Sequence, residues 1–188
     1  MVISSADGGK EDLLLEILSA GGIAIMPCDT IYGIVGRAPE AEERIRAAKG
    51  RGEPNPFLML IEDEQTVERL SDARLDRQVA ALWPGPLTVV IQARAGGTVA
   101  VRVPSDRFLR RLIGRLGAPL YSTSVNRSGQ PALGAVSEIV REFEERVDII
   151  VDGGDILGRE PSTLLDVTQR PFRILREGAC KVPPSLLR

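Results

Sequence analysis

The chain has 188 residues, 43% of them hydrophobic and 27% charged, with a formal net charge of −2; this predicts a single domain over 1–188 with a substantial core. No run of about 18 apolar residues occurs, and the N-terminus lacks the basic and long apolar regions of a secretory signal, so neither membrane nor secretion is expected and the cytoplasm is the expected compartment. Histidine is absent, which removes Ser-His and Cys-His nucleophilic pairs and all imidazole metal sites. What remains for a charged substrate is Lys and Arg for anions, hydroxyls and amides for orientation, and carboxylates with a hard cation such as Mg²⁺.

In chain order, Leu13, Leu14, Ile17 and Leu18 at helical spacing predict a helix over 9–20 that ends at Gly21-Gly22. A buried strand is predicted over 23–27, then a polar turn at Cys28, Asp29 and Thr30, and a second strand over 31–35. Pro39 is placed to open a helix running through Ala48, and residues 49–56 read as an exposed loop carrying Lys49 and Arg51. A strand over 57–61 precedes charged helical sequence over 64–82, which Trp83-Pro84-Gly85-Pro86 terminates. Strands over 87–93 and 98–103 flank Gly96-Gly97 and predict a hairpin. A helix over 105–116 leads to a strand that ends in Ser122, Thr123 and Ser124. A helix over 136–147 and short strands at 149–151, 164–167 and 172–175 complete the pattern, a twisted mixed α/β sheet of parallel and antiparallel strands covered by helices.

Four polar clusters sit beside predicted strand ends: Cys28 to Gly33, Lys49 to Arg51, Val101 to Pro104 with the Ser122 run, and Ser162-Thr163 with Arg176. The densest runs from Ser122 through Asn126 to Gly129, a concentration of hydroxyl and amide groups suited to phosphate, carboxylate or adenine, although the same residue types also end strands for local reasons. Lys49 and Arg51 could clamp a polyphosphate or be solvated. Arg102, inside an alternating strand, must point outward or face an anion, because an unpaired buried charge is costly. Asp29 and Asp166 could hold a metal or cap local backbone. No Walker loop and no Gly-x-Gly-x-x-Gly after a strand occurs. Arg107, Arg110, Arg111 and Arg115 would form one basic helical face, open to RNA or to solvent.

The ordered set of motifs resembles the YrdC/YciO family, whose members include threonylcarbamoyl-AMP synthases of tRNA modification. The resemblance rests on Pro27 to Gly33, Lys49 with Arg51, Trp83 to Thr88, Val101 to Pro104, Ser124 to Gly129, Ser162 to Asp166, and Arg176 to Gly178. It implies a mixed sheet around a concave, positively charged cavity, and a nucleotidyltransferase that joins L-threonine, bicarbonate or CO₂, and ATP into L-threonylcarbamoyladenylate with release of pyrophosphate. Mg²⁺ is implied with ATP, and no protein metal site is. By the same resemblance, Lys49 and Arg51 take the catalytic role of offsetting phosphate charge. Arg51, Asn55, Thr98, Ser124, Asn126 and Arg176 fall on the ATP side, and Thr30, Tyr32, Arg102, Ser122 and Ser162 on the threonine side. Implied partners are tRNA or another structured RNA and other tRNA-modification proteins.

The sequence departs from the family pattern at Cys28, where a threonine is usual, at Val125 in place of alanine, at Leu60 where many members carry histidine, and at Ala132 where a hydroxyl is frequent. These changes make the amino-acid pocket less polar. The competing readings are an RNA-binding protein of the same fold and a paralogue that adenylates a different carbamoyl compound.

Overall fold

The computed structural model describes residues 1–50 and 56–188. Its strands are β1 (Val2–Ser4), β2 (Ile23–Pro27), β3 (Tyr32–Arg37), β4 (Leu58–Leu60), β5 (Leu87–Gln92), β6 (Thr98–Arg102), β7 (Leu120–Ser124), β8 (Ile149–Asp152), β9 (Thr163–Asp166) and β10 (Arg173–Arg176). Among the described residues they form one ten-stranded sheet in the order β1-β8-β2-β3-β7-β4-β6-β5-β9-β10. The hairpins β2–β3, β5–β6 and β9–β10 are antiparallel, whereas β2–β8, β4–β6 and β5–β9 are parallel, so the mixed sheet expected from the sequence is present. The helices are α1 (Lys10–Ser19), α2 (Glu42–Lys49), α3 (Val67–Leu70), α4 (Arg77–Ala80), α5 (Arg107–Leu116) and α6 (Val136–Phe143).

The apolar run of β2 is explained by burial on both faces. Ile23 and Ile25 pack with α2 and α6 through Ile45, Ile139 and Phe143, while Ala24 and Met26 pack with α1 and α5 through Leu14, Leu18, Leu109 and Leu112. Helix α5 starts where the Asp106 carboxylate accepts from the Leu109 amide at 3.0 Å, and it ends at Gly117 with φ 67°, a conformation that glycine adopts without Cβ strain. Its Leu109, Leu112 and Ile113 are buried, each contributing about 1.5–3 kcal/mol. A third cluster joins Val89, Val101 and Leu165 to Val67 and Val79.

The face that α1 and α5 cover carries Val35, Leu60 and Leu120. Register pairs Val35 and Leu58 with Ser122, and Leu60 with Arg102. Along this face, therefore, polar side chains succeed apolar ones from β7 towards β6, and there the sheet lines a cavity instead of a helix interface.

Three expectations are corrected. The charged stretch 64–82 is not one helix. Ser71 is extended and its Oγ accepts from the Ala73 amide, and Asp76 then caps a new start by accepting from the Gln78 amide at 2.8 Å. These short polar side chains compete for backbone groups and divide the segment into α3 and α4. The second helix opens at Glu42, because residues 38–41 form a turn in which the Ala41 amide bonds the Arg37 carbonyl. Lys49 belongs to the end of that helix and is buried, not to an exposed loop. The basic row on α5 is largely engaged: Arg111 and Arg115 form ion pairs with Glu11 and Asp12 of α1, and Arg110 donates to the Pro104 and Ser105 carbonyls. Strand β1, which the sequence pattern did not reveal, pairs in parallel with β8.

Candidate functional site: an arginine-lined cavity

A cavity of about 510 Å³ opens over β3, β7, β4, β6 and β5, within the range of about 300–1,000 Å³ usual for small-molecule sites. Thr30, Tyr32, Arg102, Ser122, Ser124, Ser162 and Arg176, seven of the sequence-predicted site residues, all contribute to its walls. The described lining contains three arginines, Arg102, Arg159 and Arg176, and no Asp or Glu.

Arg102 is 3% exposed and faces the buried Asp29 carboxylate, with Nη2 3.0 Å from Oδ1. The contact is an ion pair without hydrogen-bond alignment, and Nε has no hydrogen-bond partner among the described residues. Nη1 donates to Thr30 Oγ1 at 3.3 Å. The other Asp29 oxygen accepts from the Ser105 amide at 3.0 Å and from its hydroxyl at 3.1 Å. Arg102 therefore lies inward, as one of the two sequence readings required, but the first carboxylate it meets belongs to the protein. Asp29 pairs with arginine and caps backbone, and Asp166 accepts from Thr168. Among the described residues no group of three or more His, Cys, Asp or Glu side chains could hold a metal.

On the opposite wall, Ser162 Oγ lies 2.7 Å from Thr88 Oγ1 and is 3% exposed. Arg176 reaches over it from β10, with Nη2 donating to the Ser162 carbonyl at 2.9 Å and to its hydroxyl at 3.3 Å. Partial burial, then the positive charge of Arg102, lowers the Arg176 pKa from its ordinary value. Two guanidinium groups thus act on each other across the cavity, an arrangement that an anion between them would relieve.

Lys49 and Asn126 are not part of the described lining, but both bond to Ser124, which is. The Lys49 ammonium donates to the Ser124 carbonyl at 2.6 Å and to Asn126 Oδ1 at 2.7 Å, and the Ser124 hydroxyl donates to the same Oδ1 at 2.7 Å. Asn126 Nδ2 donates to the Arg127 and Gln130 carbonyls, so its amide clasps the turn that follows β7. The Ser128 amide completes the join by donating to the Lys49 carbonyl. Thr98 is exposed at the hairpin end of β6; it shares the strand face of Ala100 and Arg102 but is not part of the lining. Arg51 and Asn55 lie outside the described residues.

The departures from the family pattern take different positions. Ala132 and Cys28 line the cavity, whereas Leu60 is fully buried in the α1–α5 core and does not meet a ligand there. Burial pushes the Cys28 thiol up to about 11, with Arg102 and Ser122 pulling the other way, so it is neutral at pH 7. A Cβ on Gly33 would stand 2.8 Å from Cys28 Sγ and 3.1 Å from Ser122 Oγ, which explains a glycine at this point of β3. Tyr32 contributes its ring to the wall, while its hydroxyl donates to the Gly154 carbonyl and accepts from the Gly153 amide, both at 2.9 Å.

Arg159 and Thr88 were not among the sequence-predicted site residues. Arg159 lines this cavity and also an adjoining one of about 290 Å³ shared with Asp29, Thr30 and Ser105. Its signal was weak: one basic residue between a glycine and the Pro161-Ser162-Thr163 element.

A mixed sheet that holds an arginine- and hydroxyl-lined cavity offers groups suited to a small anion. The profile of the Sua5/YciO/YrdC family, described as telomere recombination, matches residues 16–178, and the chain belongs to that family. It is 31% identical over 172 residues to the threonylcarbamoyl-AMP synthase of Pyrococcus abyssi, an alignment covering 84% of this chain and 51% of that protein, so the chain spans about half the length of this relative. The structure resembles P. abyssi Sua5 complexed with L-threonine, with a TM-score of 0.83 and 27% identity over 94% of this chain and 57% of that one. It resembles E. coli YciO equally, with a TM-score of 0.83 and 25% identity over 98% of this chain and 96% of that one. Among the described residues no helix is long and apolar enough to cross a membrane.

Proposed function

We propose that the chain, as one YrdC-like unit over residues 1–188, makes L-threonylcarbamoyladenylate from L-threonine, bicarbonate or CO₂, and ATP, releasing pyrophosphate, and that the product serves threonylcarbamoyladenosine modification of tRNA. The observation that carries this reading is the cavity itself, with three arginines, several hydroxyls and no carboxylate in its described lining, formed by the family's motif residues. The named relatives support the same reading.

In the proposed reaction a carbamate oxygen, formed on the threonine amine, attacks the α-phosphorus, and the bond to the bridging oxygen of pyrophosphate breaks. Such a displacement needs positioning and charge neutralisation more than an acid-base pair, which suits a chain without histidine. Arg102, Thr30, Ser122 and Ser162 would take the amino acid, with Tyr32 completing the wall. Ser124 and Arg176, with Arg51, Asn55 and Thr98, would take the nucleotide, and Lys49 with Asn126 would lie close to the phosphates. Mg²⁺ would arrive on the triphosphate.

The test is exchange of labelled pyrophosphate into ATP, run with each amino acid in turn, with bicarbonate present and withheld. Exchange that requires both threonine and bicarbonate is the expected result. Exchange with another amino acid replaces the substrate, and RNA binding without exchange overturns the synthase reading.

A further inference from the structure

We propose that Asp29 is a positioning residue for the amino-acid end of the cavity, its carboxylate bridging the Ser105 amide and the Arg102 guanidinium and so fixing where Arg102 meets the substrate. The proposal rests on the synthase reading. The resemblance assigned Arg102 to the threonine side and left Asp29 without a role.

Three observations carry it. Both side chains are buried, 3% exposed for Arg102 and 4% for Asp29, so the contact is shielded from solvent screening. Both sides of the carboxylate face positive or N–H groups: the Ser105 N–H donates to Oδ2 at 3.0 Å, and the Arg102 guanidinium, which has no acceptor, lies 3.0 Å from Oδ1 as an ion pair without hydrogen-bond alignment. Asparagine has an acceptor on one side only, so either orientation of its amide would point an N–H group at one of these donors. The other anchor of the guanidinium is a single 3.3 Å bond to Thr30, and Arg176 repels it across the cavity. Asp29 is the charge that holds Arg102 against that repulsion.

Titration calorimetry of L-threonine, and separately of ATP, on wild type and Asp29→Asn tests this. Threonine affinity should weaken by about tenfold or more through lost pre-organisation, while ATP affinity stays within about twofold. A purely structural role would lower the melting temperature and weaken both ligands together. Unchanged or tighter threonine binding, or equal losses for the two ligands, overturns the positioning role. Absence of threonine binding by the wild-type protein overturns the synthase reading and this role with it. If Asp29→Asn melts below the assay temperature, Ser105→Ala carries the test, since it removes the 3.1 Å hydroxyl bond and leaves the charge in place. It should weaken threonine alone by about two- to fivefold, and an unchanged affinity overturns the proposal.

Discussion

Replacing Gly33 by alanine adds one methyl group where β3 passes the cavity floor. The new Cβ would lie 2.8 Å from Cys28 Sγ and 3.1 Å from Ser122 Oγ, and 3.6 Å from the Thr123 carbonyl oxygen. Optimal separations are about 3.5–4.0 Å, so the first contact is short by roughly 0.7 Å or more. Cys28 is 4% exposed and packs in the α1–α5 core, which limits how far its sulfur can retreat. Overpacking of this kind costs about 1–3 kcal/mol, and urea unfolding of Gly33→Ala should give about 2 kcal/mol of destabilisation with an unchanged denaturant slope. Because Cys28 is the nearest obstacle, the same substitution in a Cys28→Ala background should cost less than about 1 kcal/mol, a coupling of about 1–2 kcal/mol. Equal costs in the two backgrounds would refute the steric argument, as would a Gly33→Ala protein as stable as wild type.

Lys49→Met keeps an unbranched apolar stem one atom shorter and removes donors to two oxygens at 2.6 and 2.7 Å. Each charge-assisted bond is worth about 1.5–3 kcal/mol, offset in part by no longer burying a charge, so a net loss of about 2–4 kcal/mol is expected by chemical denaturation. Hydrogen exchange at Ser128 should accelerate with it, and unaltered stability would show the clasp to be inert. Hydrogen bonds from Arg111, the largest influence, hold the Glu11 carboxyl down at about 2 from an ordinary 4.5. A depressed carboxyl stabilises the fold fully above its unfolded pKa and loses that contribution as pH falls through the folded value. The stability gap between wild type and Glu11→Gln should therefore be constant above pH ~5 and close towards pH ~2, and a gap independent of pH would show that the carboxylate charge is irrelevant.

Most strands were legible because their apolar runs are buried on both faces or alternate between core and cavity, whereas β1, three residues of which only Ile3 is partly buried, was not. The predicted strand over 23–27 coincides with β2, and the Gly96-Gly97 hairpin joins β5 to β6. Helix boundaries failed where Ser71 and Asp76 offer the backbone local partners, since periodicity counts apolar spacing and overlooks competing hydrogen bonds. Arg102 was half legible. Its position within a strand required an outward direction or an anion, but the anion, Asp29, stands 73 residues earlier in the sequence. The burial of Lys49 was illegible for the same reason, because the carbonyl and amide that hold it arrive from 75 and 77 residues away. Local composition marks loops, and only tertiary closure shows which of their charges are internal.

The arginines differ in how they are partnered. On the outer surface of α5, Arg111 and Arg115 are offset by acids from α1, whereas Arg107 and Arg110 have no ion pair among the described residues, so that helix keeps part of its positive charge. Inside the cavity Arg159 and Arg176 have no ion pair among the described residues, and Arg102 alone is balanced there, by Asp29. Arg159 and Arg176 are solvent-exposed, so water and salt screen their charges, whereas the Arg102–Asp29 pair is buried. Any attraction of a small anion to Arg159 and Arg176 should therefore weaken as salt is added, while the position of Arg102, held by a buried partner, should not change with it.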